Sequence, residues 1–285
     1  MIALRSFVGA RENCRRYDVE LPASFDERLK RACDFAHHMR RPDGTIPALS
    51  DSDTGDYTEL LGLAARLLER DELTRKPAGH ASFADGGYFV QRAGEHYLIF
   101  DCGPLGDGGH GHYDALSIEA WAGTQPLVLD PGRFTYAEGE PNLRRWFRGT
   151  AAHNTVTVDG QDQTPYARSR SSLPSAEATF LGRETRDGLD ILSGEVRSPV
   201  YDAVHRRRVI FVDGAYWLIE DRLAGTRRHR YDLRFRLAPR HAELTLHVKG
   251  ARSVSLEDGW ISPRYGFREA APVVSAVATG DCARP

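Results

Sequence analysis

From about residue 80 onward the sequence breaks into short runs rich in Val, Ile, Tyr and Phe, each closed by Gly, Asp or Pro. The runs are Tyr88 to Arg92, Tyr97 to Asp101, Leu116 to Trp121, Leu127 to Leu129, Thr155 to Val158, Val209 to Val212, Trp217 to Ile219, Leu233 to Leu237 and Leu244 to Val248. Runs this short suit strands rather than helices. Their repetition, with no long helical stretch between them, predicts an antiparallel β-sandwich. Residues Pro165 to Ser175, rich in Ser and Arg, read as an exposed loop.

The first 76 residues have a different texture. Ser24 with Glu27 has the form of a capping box, and Phe25, Leu29, Cys33, Phe35 and Ala36 line one side of a helix that Pro42-Asp43-Gly44 ends. A second helix is predicted from Tyr57 to Glu69, with Leu60, Leu61, Ala64, Leu67 and Leu68 on one side. A few helices bury little surface alone, so they read as the end of a larger helical assembly. The expected organisation is therefore a helical segment over 1–76 and a sandwich over 77–285.

Composition excludes several classes. A formal charge of −2 over 285 residues lacks the basic excess of a nucleic-acid binder. The basic clusters at Arg144-Arg145 with Arg148, at His205 to Arg208 and at Arg227 to Arg230 are interspersed with acids and read as solvated faces, although they suit a polyanion. No stretch approaches the roughly 18 apolar residues of a membrane span. The short apolar start is not a signal peptide, which leaves the compartment open between periplasm and cytoplasm. Cys14, Cys33, Cys102 and Cys282 show no paired spacing and read as reduced thiols.

The chemistry concentrates in Gly109-His110-Gly111-His112-Tyr113-Asp114. Two histidines one residue apart at a strand entry project to one face. Asp130 ends an apolar run before Pro131-Gly132, and His153 precedes Asn154. Two histidines and an aspartate with one open position are what an exchangeable zinc site requires. The same residues also fit buried, hydrogen-bonded core histidines. His110-x-His112-x-Asp114 imitates the opening of a metallo-β-lactamase motif, but Ala115 stands where that motif needs histidine. Asp51-Ser52-Asp53-Thr54-Gly55-Asp56 imitates a calcium loop, but Gly62 occupies the position of its closing glutamate, so a solvated helix-capping loop is expected there.

Four blocks in order, Gly109 to Ser117, Pro126 to Gly132, Arg145 to Thr150 and Ala152 to Gln163, resemble the heparinase II/III-like polysaccharide lyases. Weaker likeness extends to Pro42 to Pro47 with Asp51 and Asp53, and to Ser262 to Gly266. The resemblance implies an incomplete (α/α) toroid followed by an antiparallel β-sandwich, and β-elimination of uronic-acid polysaccharides. It implies that His110 lies in the catalytic cleft and that His112, Asp130 and His153 bind a divalent metal, commonly zinc, in a chiefly structural role. Arg145 and Arg148 are candidates for substrate carboxylates, and Tyr265 and Tyr136 for the sugar cleft. An acidic polysaccharide is the implied partner; oligomeric state is left open. The toroid's catalytic residues would precede Pro42, so this chain is expected to hold only the toroid's end and to turn over substrate slowly or not at all. A non-catalytic, metal-stabilised carbohydrate-binding module is the alternative.

Overall fold

The structure, a computed structural model, describes residues 2–106, 109–167, 174–239 and 244–280. Three helices come first: α1 (Ile2–Arg16), α2 (Ala23–His38) and α3 (Thr58–Leu68). They pack through Leu4, Val8, Leu29, Cys33, Leu61 and Leu73. The Ser24–Glu27 capping box does not form. Pro22, with φ −57°, is the cap and Ser24 lies inside the first turn; the proline ring already sets the dihedral that a helix entry needs.

The remaining elements are strands and short helical turns. A two-stranded pair joins β1 (Thr45–Ile46) to β2 (Gly55–Asp56). One sheet of five runs in chain order through β3 (Ala81–Phe83), β4 (Tyr88–Ala93), β5 (His96–Asp101), β6 (Ile118–Ala122) and β7 (Gln125–Val128). Next come a helical turn, α4 (Leu143–Arg148), and β8 (Val156–Val158). Then follow β9 (Glu177–Arg186), β10 (Leu189–Arg197), β11 (Val204–Val212) and β12 (Tyr216–Ala224), a second sheet of four. The last sheet has the order β14 (Ser253–Arg264), β15 (Phe267–Gly280), β13 (His229–Arg236), β8. All named strand pairs are antiparallel, as expected.

The main core lies where the sheets face each other, with Phe89, Leu98, Phe100 and Leu116 meeting Leu192, Val196, Val209 and Phe235. A second layer joins the helices to the five-stranded sheet through Met39, Ile46, Val90, Tyr97 and Trp121. There Arg41 grips Glu119 with two bonds, Nε to Oε1 at 2.6 Å and Nη2 to Oε2 at 2.8 Å. This pair fixes the loop after α2 against β6, and so sets where residues 42–56 lie. Leu244 to Val248 is not a strand: Leu244 packs on the main core, but its backbone joins no sheet. The described ends of the Pro165 to Ser175 loop are irregular, while 168–173 and Cys282 fall outside the described residues. Cys14, Cys33 and Cys102 are free thiols.

Candidate metal centre and sugar-binding face

The segment 109–117 is a loop between β5 and β6, tied down at both ends. Leu116 N donates to Asp101 O at 2.8 Å, and Tyr113 N donates to Arg148 O at 2.9 Å. Arg148 returns a bond to Gly111 O at 3.1 Å. A Cβ on Gly111 would sit 2.3 Å from the Leu105 carbonyl oxygen, so only glycine lets the two stretches pass. Although this stretch is a loop, both histidines reach the Asp51 carboxylate, at different depths. The His112 side chain is fully buried, and that of His110 is 80% exposed.

Beneath the loop, His112, Asp114, Asp130 and His153 gather in the interior. His153 Nδ1 lies 2.9 Å from Asp130 Oδ2 and 3.6 Å from Asp114 Oδ2. The rings of His112 and His153 are 5.2 Å apart. One ligand atom from each of His112, Asp114 and His153 falls within 4.8 Å of the others. In both histidines the other nitrogen is spoken for: His153 Nε2 donates to Phe147 O at 3.0 Å, and His112 Nε2 to Asp51 Oδ1 at 3.1 Å. A histidine so anchored turns its Nδ1 lone pair inward, the arrangement that orients metal ligands. His112 Nδ1 and Asp114 Oδ2 are buried without a hydrogen-bond partner among the described residues.

Charge points the same way. Burial and the neighbouring Asp114 and Asp130 push the Asp101 carboxyl well above the usual carboxylate range. Burial alone would also raise Asp130, but His153 and His112 outweigh it and hold it low. Burial depresses His112, whereas for His153 burial is outweighed by Asp130 and Asp114, and its pKa rises. Arg236, pulled down to about 10 by burial, is an enclosed cation close enough to act on Asp130. Carboxylates so enclosed are costly without a compensating cation. Two imidazoles and two carboxylates, of which His112 Nδ1 and Asp114 Oδ2 are unpartnered while His153 Nδ1 and Asp130 Oδ2 face each other, are a donor set that fits a divalent ion.

Above this cluster lies an exposed face organised by Asp51, which is not the solvated residue expected of a capping loop. Its carboxylate accepts from Arg144 Nη1 and Nη2 at 2.5 and 2.7 Å, and is shared with His112 and with His110 Nδ1 at 2.9 Å. These partners overcome burial and hold Asp51 far below the usual range. Asp53 likewise binds Arg133 and the Tyr265 N–H, and Asp56 caps Thr58, so the calcium-loop acids are committed elsewhere. The His110 ring stands 6.0 Å from that of Tyr136, which is 5.7 Å from Tyr265; both tyrosines are exposed. Arg145 is exposed and lies 5.3 Å over Tyr166. Arg148 is a correction: only 1% exposed, it donates to Gly111 O and Ala167 O, and so builds the wall behind the loop rather than facing a ligand.

Residues 75–260 match the Heparinase II/III-like, C-terminal family. The chain belongs to that family. Among curated relatives, a heparin-sulfate lyase of Bacteroides stercoris is 25% identical over 76% of this chain and 34% of its own length. A heparin-sulfate lyase of Pedobacter heparinus is 26% identical over 50% of this chain and 21% of its own. The crystal structure of a heparan sulfate lyase from Pedobacter heparinus matches 99% of this chain and 49% of that one, with TM-score 0.82 and 20% identity. The heparinase-like fold is therefore shown, helices included, and the matched stretch spans between about a fifth and a third of the length of the curated relatives. No helix among the described residues is long and apolar enough to cross a membrane.

Within this heparinase II/III-like framework, sequence reasoning points to His110, His112, Asp130, His153, Arg145, Arg148 and Tyr265; the fold gathers His112, Asp130 and His153 in the interior, leaves His110, Arg145 and Tyr265 exposed and encloses Arg148. That reasoning passed over Asp114 as a ligand, although Asp114 lies in the same block. It also passed over Arg144, whose role depends on a partner 93 positions away.

Proposed function

We propose that this chain carries the His110 side of a polysaccharide lyase site that cleaves uronate-containing chains. A divalent ion, zinc by the donor set, would be held by His112, Asp130 and His153, with Asp114 within reach. The observation that carries the reading is Asp51. One buried carboxylate joins an exposed histidine, a buried histidine of the ion-binding cluster and an arginine. In β-elimination a base removes the C5 proton, the C4–O4 bond breaks, its electrons leave with O4, and the C5–H pair forms the C4=C5 double bond. The departing oxygen then takes a proton. Asp51 fixes His110 through Nδ1 and leaves Nε2 for a proton at the sugar, as a carboxylate orients the imidazole of a triad. Tyr136 and Tyr265 offer flat apolar surfaces to the sugar rings. When bound, the ion would pin the loop beneath His110 and offset the buried carboxylates.

One observation favours the non-catalytic alternative: the match to a curated heparin-sulfate lyase covers about a third of that relative's length, so most of the relative lies outside the alignment. We expect slow or no turnover from this chain alone. Titration with heparan sulfate oligosaccharides, followed by ring resonances and by unsaturated-uronate absorbance, separates the two. Shifts centred on His110 and Tyr265 support the face, and shifts elsewhere, or none, overturn it. Product that disappears in His110→Ala marks a lyase, and binding without product marks the module. For the ion, elemental analysis should find one equivalent, absent in His112→Ala, with a Tm lowered by several degrees. Unchanged metal content in that variant removes the site.

A further inference from the structure

Past Tyr265 the arginines change character. Arg133 and Arg144, which flank Tyr136, are neutralised by Asp53 and Asp51. Arg264 and Arg268, at the β14–β15 hairpin, have no carboxylate partner among the described residues. Arg268 instead lies between two rings, its guanidinium carbon 4.3 Å from the centre of Trp260 and 5.2 Å from that of Phe134. Arg264 lies 5.2 Å over Phe267. Trp260 and Phe267 are both exposed, at 37% and 41%. Two ring faces hold a guanidinium plane in place without consuming its N–H donors, so its fork stays available to an anion.

This group is continuous with the His110 face. Gly266 N, at the hairpin turn, donates to Phe134 O at 2.7 Å, and Arg133, next in sequence to Phe134, lies 5.2 Å over Tyr265. His110, Tyr136 and Tyr265 follow one another at ring-contact distances, and the Gly266–Phe134 backbone bond places the Phe134, Arg268 and Trp260 group next to them. From Tyr265 back to Trp260 the strand covers about 15 Å at the usual rise per residue. That is room for more sugar than the His110 end alone engages.

We infer that Arg268, held against Trp260 and Phe134, is a distal subsite for a sulfate or carboxylate on the same saccharide chain, several rings away from His110. The inference rests on the His110 face being the sugar site. Fixed guanidinium forks pair bidentately with such oxyanions, and the exposed Trp260 ring offers an adjoining sugar a stacking surface.

The test measures affinity of the whole chain for short and long heparan sulfate oligosaccharides by titration calorimetry, with wild type, Arg268→Ala, Arg268→Lys and His110→Ala. Arg268→Ala should weaken the long oligosaccharide about tenfold, the scale of one charge-assisted pair, and leave the short one unchanged. Arg268→Lys should fall between, because it keeps the charge and loses the fork. Equal affinity of wild type and Arg268→Ala for the long chain overturns the subsite while leaving the His110 reading intact. If neither length binds, or if His110→Ala alters neither, the His110 reading fails and the subsite falls with it. Unchanged Tm in Arg268→Ala establishes that the loss is not one of folding.

Discussion

At the scale of single residues, Asp51 connects the exposed and buried halves of the site. Its carboxylate is almost fully enclosed and meets Arg144, itself buried, with two bonds. A buried pair of this kind gives little net stability over an apolar substitute, yet removing one partner leaves the other charge stranded. Asp51→Ala is therefore expected to cost about 3 kcal/mol of stability and to free the His110 ring. The double variant Asp51→Ala with Arg144→Met should recover much of that loss but not the ordering of His110. Urea titrations of the three proteins, with the His110 resonances, check this; a double variant no more stable than the single would show that the pair is not what Asp51 holds. None of this is legible in sequence. Arg144 sits in a basic run that reads as a solvated face, and its burial depends on where Arg41 and Glu119 bring the 42–56 loop.

At the scale of elements, two of the strands legible in the sequence are buried on both faces. β4 and β5 are each buried over four consecutive residues; in β5 these form the apolar run Tyr97 to Phe100, whereas β4 buries Gln91 and Arg92 beside Phe89 and Val90. β9, by contrast, alternates exposed and half-buried positions and carries Glu177, Arg183, Glu184 and Arg186, so its composition resembles a loop. Leu244 to Val248 fails in the opposite direction, since apolar side chains can cover a core without a pairing backbone. The residues of the proposed metal site stand out in the sequence because they sit at loop–strand junctions within distinctive blocks, whereas which carboxylate faces which imidazole is decided by packing. β10 shows how tight that packing is. Gly194 lies at an irregularity in the β9–β10 register, and a Cβ there would meet Cys102 Sγ at 2.7 Å, Leu116 at 2.8 Å and Phe100 at 3.0 Å. Gly194→Ala forces an overpacked contact worth about 1–3 kcal/mol, or roughly 5 °C in Tm for a chain this long. Because Leu116 closes the loop that carries Asp114, the same variant should also weaken metal retention. A Tm within a degree of wild type would show that the sheets can separate to admit the methyl.

At the scale of the whole molecule, stability should decline on acidification in two stages, one set in the helices and one in the sandwich. The first belongs to the helices. His37, buried beside Arg40 and the 3₁₀ turn that follows α3, is lowered to about 4, chiefly by burial and then by the Arg40 charge. Its unfolded value is the ordinary 6.5. Between those values the unfolded chain binds a proton that the folded chain refuses, so folding weakens as pH falls through this window, by about 2 kcal/mol in all. The second stage belongs to the sandwich. Asp221 on β12 is buried yet held far below its usual range, because Arg207 and His205 more than offset the burial. Arg207 also donates to Leu116 O and Asn154 O, so this ion pair fastens the second sheet to the loops around the ion-binding cluster. A depressed carboxylate contributes its stability above the unfolded value near 3.8 and loses it as pH falls further, so this stage begins only below that point. On acidification the His37 contribution is therefore lost before the Asp221 contribution. His37→Leu should flatten the unfolding free energy between pH 6.5 and 4 and leave the steeper decline below pH 4 in place, as read by urea titration across that range. A variant that retained the full upper slope would move its origin to other buried histidines, of which His205, within the Asp221 cluster itself, is lowered by the same burial.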